Sequence, residues 1–245
     1  MLKEHDVRIY TNSKVEDVKK TANGYEVKTN KHSIDAKYVV MATHYPIKKF
    51  QGLYFLKLYQ DKSYEIAIMP QQKMMNGMYI AAESTGKSFR PINNELLIIG
   101  GEEHKTGENA KNLESCYSNL IKYSKKIFPT MSEKYKWSTQ DCVSLDKVAY
   151  IGEISKLMPH VYIATGYNKW GMTTSHVAAK IISDEILGKE NKYKEIYQST
   201  RMNLIKNNKE FGSMLKQTAY SLCINKLKIP KYKFENIENN NRWCC

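Results

Sequence analysis

HVYIATGYNKWGMTTSHVAAKIISDEILG, residues 160–188, is the stretch whose reading decides the fold. Val161-Tyr162-Ile163-Ala164 is a short apolar run without an alternating polar face, which predicts a strand buried on both sides. Gly166 breaks that strand. From Met172 onward, Met172, Val177, Ala178, Ile181, Ile182 and Ile186 mark one buried helix face. Thr173 or Thr174 is expected to cap the helix and Gly188 to close it. The unit is strand, glycine-bounded loop, helix. Unpartnered first-turn amides and the helix dipole then favour negative charge between Gly166 and Thr174, either a phosphate or the anion of a reduced flavin ring. Gly171 allows close backbone approach there, and Tyr167 and Trp170 can pack on a flat ring.

Working outward, 245 residues suffice for one good core or two lobes. The absence of any apolar run of about 20 residues, together with a polar start at Met1–Asp6, argues against a membrane span or a secretory signal and gives the cytoplasm as the expected address. Five scattered cysteines suggest no disulfide framework and fit a reducing compartment. The formal charge of +13 comes mostly from lysines spread along the whole chain. With no Arg-rich block or aromatic-basic signature, a solvated surface explains it better than nucleic acid.

Ahead of that stretch, Val7–Tyr10, Lys14–Val18 and Tyr25–Lys28 read as strands of a meander, with Asn23-Gly24 as a hairpin turn. Ile34–Lys37 leads into Tyr38-Val39-Val40-Met41-Ala42, an apolar run expected to be a fully buried strand ending at Thr43-His44. Its Ala42-Thr43 end matches Ala164-Thr165, and ligands bind outside the carboxyl ends of strands in open α/β sheets, so one shared crevice is expected. Ser63–Met69, Gly77–Ala82 and Glu95–Gly100, separated by Pro and Asn-rich turns, indicate an antiparallel sheet. A helix is expected from Asn109 to Phe128, stopped by Pro129, and then strands over Tyr135–Val143 and Tyr150–Gly152. Leu204, Phe211, Leu215 and Leu222 suggest a further helix, and the tail beyond Pro230 is expected to be loose.

Together these pieces resemble the D-amino-acid oxidase-like FAD-dependent oxidoreductases, the group that includes glycine and sarcosine oxidases, over about residues 5–188. Tyr38–His44 resembles the family's strand ending in Ala-Thr-Gly, and Gln140-Asp141, Leu145-Asp146 and Tyr150–Gly152 resemble its return segment. Ala164–Thr173 is similar to the loop of a bacterial subgroup often fused to a Rieske domain. The resemblance implies an α+β or α/β fold: an incomplete FAD-binding α/β domain of the GR2 type with an inserted antiparallel substrate domain. The expected divisions are 1–46 (partial FAD-binding domain), 47–133 (antiparallel substrate lobe), 134–188 (return to the FAD-binding domain) and 189–245 (helical extension and tail). It implies FAD as cofactor, with Val15 near the adenine, Thr43 near the FAD, and Gly166, Tyr167, Asn168, Lys169, Trp170, Gly171, Met172 and Thr173 approaching the flavin ring and its ribityl chain. In the inserted lobe, Arg90 is placed to hold a substrate carboxylate by a bidentate fork and His104 to face the flavin.

The sequence also departs from that family. Its 12 glycines contain no GxGxxG, the turn that cradles a dinucleotide pyrophosphate. The expectation is a carboxyl-terminal fragment, a gene that has lost its front half, or a chain whose front half another polypeptide supplies, so that FAD binds weakly or not at all to this chain alone. His44 stands where the family has glycine. The tail cannot hold a Rieske cluster, because His176 is the last histidine, and no metal site is expected elsewhere. Two functions follow: part of a FAD-dependent enzyme that oxidises a small amine or amino acid, or a non-catalytic remnant serving as an interaction module.

Overall fold

The computed structural model describes residues 2–48, 51–74, 76–82, 86–106 and 113–202, together with Gly212 and Lys216. The chain divides into two compact units, Met1–Met202 and Asn203–Cys245, and the sheets and helices described lie in the first. The helix expected from Leu204, Phe211, Leu215 and Leu222, and the tail beyond Pro230, fall outside the described residues.

The meander forms from β1 (Val15–Thr21), β2 (Gly24–Thr29) and β3 (Ser33–Ala36), in that spatial order. The turn closes at Gly24, opposite Thr21, where φ is +149° and a Cβ would stand 2.6 Å from the Ala36 carbonyl oxygen. Only glycine fits that place. Val7–Tyr10 is not a strand: it has no ladder partner among the described residues and its apolar side chains are exposed. An alternating pattern alone cannot satisfy backbone hydrogen bonds without a neighbouring edge.

Two further sheets carry the rest of the unit. The smaller contains β4 (Val39–Met41), β10 (Tyr150–Glu153) and β11 (Val161–Thr165), in the order β10-β11-β4. Central β11 is buried throughout, as its continuous apolar run predicts. Helix α2 (Gly171–Ile186) covers one face, packing Ala178, Ile181 and Ile182 on Ala149, Ile151, Tyr162 and Ala164. Val18 and Tyr25 of the meander cover the other face, against Met41, Val161 and Ile163. The expectation of a fully buried first strand needs correction. Val40 is 48% exposed, and among the described residues β4 is an edge strand paired only with β11.

The larger sheet has the order β6-β7-β8-β5-β9: β5 (Leu58–Pro70), β6 (Tyr79–Ile80), β7 (Ser88–Ile92), β8 (Leu96–Lys105) and β9 (Met131–Ser144). All its pairings are antiparallel. Helix α1 (Leu113–Ile127) covers one face, packing Cys116, Tyr117 and Leu120 on Tyr64, Ile66, Ile68, Leu97 and Ile99. β9 crosses residue 134, where the inserted lobe was expected to end, and stays paired with β5 as far as Ser144.

Helix α2 begins earlier than its threonines suggest. Trp170 is its N-cap and has no side-chain cap, while the Thr173 hydroxyl donates to the Trp170 carbonyl at 3.2 Å from within the first turn. A cap must precede the helix and accept from its amides, so Thr173 and Thr174 do not serve. Met172, expected on the buried face, is 84% exposed. Gly188 does close the helix, at φ +66°. Beyond it, α3 (Lys194–Tyr197) leads to Ser199 and Arg201, which are anchored on the sheets. Arg201 forms a two-pronged pair with Asp146, at 2.7 and 2.9 Å, over the Tyr150 ring. Buried Lys57 lies between the Tyr54 and Tyr150 rings and donates to the Ser199 carbonyl at 3.3 Å.

Candidate functional site

β4 and β11 run parallel, with Ile163 beside Met41, so their Ala-Thr ends emerge side by side. The Thr165 hydroxyl donates to the His44 carbonyl at 2.5 Å and ties the two ends together. His44 takes φ +63°, the left-handed conformation that a glycine would adopt more easily. The exposed Thr43 hydroxyl donates to the Tyr45 carbonyl, and Val15 is half-buried on β1 beneath the same sheet.

The loop between β11 and α2 is held by its own side chains. At Gly166, φ is +71° and a Cβ would meet Leu58 at 3.0 Å and Ser144 at 3.3 Å, so glycine is required. Asn168 and Lys169 follow in left-handed conformations. The Asn168 amide oxygen accepts from the Ser144 backbone N–H at 3.0 Å, and its NH2 donates to the Gly166 carbonyl at 2.9 Å. Tyr167 bridges to Val143 of β9, which joins the loop to the larger sheet. At Gly171, by contrast, a Cβ would meet only Tyr167, at 3.7 Å. The first helical bond of α2 is from the Thr174 amide to the Trp170 carbonyl. The amides of Gly171, Met172 and Thr173 therefore precede the helical ladder, next to an exposed Trp170.

Lys169 turns toward the larger sheet, reaching Asp61 of β5 at 2.9 Å and Glu103 of β8 at 2.7 Å. Burial pulls its pKa down, but these two carboxylates outweigh burial and raise it. Strand register puts Asp61 opposite Asp141 of β9, Glu65 opposite Trp137, and Ser88 opposite Gly100. These residues share the sheet face away from α1. Glu65 is the notable member: only 7% exposed, with one carboxylate oxygen buried and unbonded. Burial pushes it up to about 7, against the attraction of Arg90. Burial also raises Asp141, against Lys169 and His44.

Of the two substrate-side residues read from the sequence, Arg90 lies on this face, exposed, with Nη2 donating to the Ser88 hydroxyl at 3.3 Å. His104 lies on the other: it is bonded to the Tyr64 hydroxyl at 3.0 Å and stacked on the Tyr64 ring, on the α1 side. Asp61, Glu65 and Glu103 escaped the sequence reading, and Asp141 entered it only as part of the return segment. The available signal was a glutamate inside the apolar run Tyr64-Glu65-Ile66-Ala67-Ile68, since charged residues are almost never fully buried unless paired. Among the described residues no three His, Cys, Asp or Glu come together as metal ligands would, and no helix is long and apolar enough to cross a membrane.

Residues 1–185 match the family model for FAD dependent oxidoreductases, DAO. The chain is 34% identical over 233 residues to YhfW of Bacillus subtilis, named for a Rieske 2Fe-2S iron-sulfur protein, covering 94% of this chain and 46% of that protein. Glycine oxidase from Geobacillus kaustophilus shares the fold at TM-score 0.67 and 17% identity, over 79% of this chain and 53% of its own. L-amino acid deaminase from Proteus vulgaris does so at 0.63 and 22%, over 82% and 52%. The chain thus spans about half the length of the relatives it matches.

Proposed function

Because this chain belongs to the FAD-dependent oxidoreductase family, we propose that it forms the substrate lobe and one wall of the flavin site in an enzyme that oxidises an amine or amino acid. The observation that carries this is the junction of β4 and β11, tied by Thr165 and His44 and leading directly into the unladdered first turn of α2. The amides of Gly171, Met172 and Thr173 offer donors and the positive end of a helix dipole to negative charge, and the open space at Gly171 admits a ring close to the backbone. Exposed Trp170 and Met172 supply apolar cover. A flavin held there would supply the hydride acceptor for the carbon bearing the substrate's amine. The sheet face carrying Arg90 and Glu65 then orients the substrate, and the loop locked by Asn168 fixes the wall it reacts against.

These residues fit a flavin ring better than a whole FAD, since the sequence holds no GxGxxG for the pyrophosphate. We infer that the cradle comes from a further polypeptide segment, in line with relatives about twice as long. The test is FAD titration of the purified chain, alone and mixed with the polypeptide encoded upstream, read by visible absorbance and melting temperature. Saturation at a hundredfold excess over Kd adds about 2.7 kcal/mol, or roughly 5–10 °C for a unit of this size. A colourless protein with an unmoved melting temperature in both mixtures refutes the reading. The open edge of β4, with Val40 exposed, favours one second reading: a remnant that pairs strand to strand with another chain without catalysis. Association without flavin would support it.

A further inference from the structure

Lys169 is fully engaged by Asp61 and Glu103, which leaves Glu65 and Asp141 as carboxylates on the same face with no ion pair among the described residues. Arg90 attracts Glu65 from nearby, but its guanidinium bonds the Ser88 hydroxyl and makes no salt bridge to Glu65 among the described residues. An unpaired carboxylate buried to this degree is costly, and buried polar groups normally have partners. The surroundings favour a guest. At Gly100 a Cβ would stand 2.9 Å from the Ser88 hydroxyl, 3.5 Å from Glu65 Cγ and 3.7 Å from Arg90 Nη2, so the absent side chain lets the Ser88 hydroxyl lie close beside Glu65 and Arg90. Trp137 lies directly opposite Glu65 on β9 and is 39% exposed, offering an aromatic face beside the negative charge. Four carboxylates stand there against Lys169 and Arg90, but among the described residues no three converge as metal ligands, so an organic cation suits the place better than a metal ion.

Resting on the oxidoreductase reading above, we propose that this face binds an ammonium group of the substrate other than the amine being oxidised, with Glu65 as its counter-ion and Trp137 as its wall. The substrate class is then a diamine or an amino acid with a cationic side chain. The arriving cation favours the ionised form of Glu65, so binding at neutral pH releases a proton. The charged groups acting on Glu65 are Arg90 on β7, Asp141 on β9, Lys169 from the loop before α2 and Glu103 on β8; Asp61 on its own strand and His44 act on the neighbouring Asp141, and Tyr117 of α1 lies across the sheet.

The probe is 1,4-diaminobutane, titrated calorimetrically into the full chain with and without saturating FAD, with propionate as the anionic comparison. The expected result is saturable diamine binding, at least tenfold weaker in Glu65→Gln and unchanged in Leu157→Ala, a remote exposed site. The wild type should bind about tenfold more tightly at pH 8 than at pH 6 and release a proton, seen as a buffer-dependent heat at pH 7. The pH series needs no variant and stands if Glu65→Gln fails to fold. Binding within twofold in Glu65→Gln, affinity independent of pH, preference for propionate, or no binding of the diamine each overturns the inference. FAD titration of the same preparation separates the two claims. A rise in melting temperature with FAD, without Glu65-dependent diamine binding, leaves the flavin reading and removes the subsite. Glu65-dependent diamine binding without any effect of FAD does the reverse.

Discussion

Replacing Glu65 by Gln should stabilise the protein at alkaline pH and do little at acid pH. The sign follows from the direction of the shift. Burial raises the folded-state value from 4.5 to about 7, so between those values the folded protein keeps a proton that the unfolded chain has lost. Stability therefore falls as pH rises through that window, and the cost is complete above it. At 1.36 kcal/mol per pKa unit, the ceiling is about 3.4 kcal/mol, and the share lost between pH 5 and pH 8 is about 2.5 kcal/mol. A side-chain amide does not titrate, so the variant escapes this loss while keeping nearly the same volume. Urea unfolding at pH 5 and pH 8, with both proteins in one buffer system, measures the difference directly. The gap between variant and wild type should widen by about 2.5 kcal/mol, or by roughly 5–10 °C in melting temperature. An equal gap at both pH values, or a variant less stable at pH 8, would mean that the carboxylate has a partner and that no charge is held there in reserve.

Lys57 gives the mirror case. Burial and then Arg201 pull it down to about 8, so stability from this group rises between pH 8 and 10.5, and Lys57→Met should remove a gain of about 1 kcal/mol between pH 7 and pH 9, read by urea unfolding. Gly166→Ala should cost about 2–4 kcal/mol, from a left-handed backbone and contacts at 3.0 and 3.3 Å, whereas Gly171→Ala, in open helical space, should be neutral or slightly stabilising yet weaken FAD-induced stabilisation. Asn168→Ala should cost about 1–3 kcal/mol in thermal unfolding, because it strands the buried Ser144 amide, and Asn168→Gly should cost about as much despite suiting the backbone.

The frame of the site was legible because it is written in local pattern. A continuous apolar run, one glycine and a helical stripe fixed β11, its loop and α2, and the matching Ala-Thr at residues 42–43 pointed to the parallel neighbour. The chemistry on the larger sheet was not legible, and the physical reason is strand parity. Gly100 lies on the site face, and in a regular strand Glu102 and His104 would follow it there, since side chains alternate with period two. Instead Glu102 takes φ +57° and the register against β5 shifts between Lys62 and Tyr64. The extra residue sends both Gly101 and Glu102 to the α1 side, where they meet Leu120 and Asn119, and every later residue changes face. Glu103 thereby reaches Lys169, and His104 is carried to Tyr64. No composition or periodicity in Gly100-Gly101-Glu102-Glu103-His104-Lys105 announces that slip; it depends on the partner strand. One inserted residue thus decides whether a histidine or a carboxylate faces the loop and Lys169.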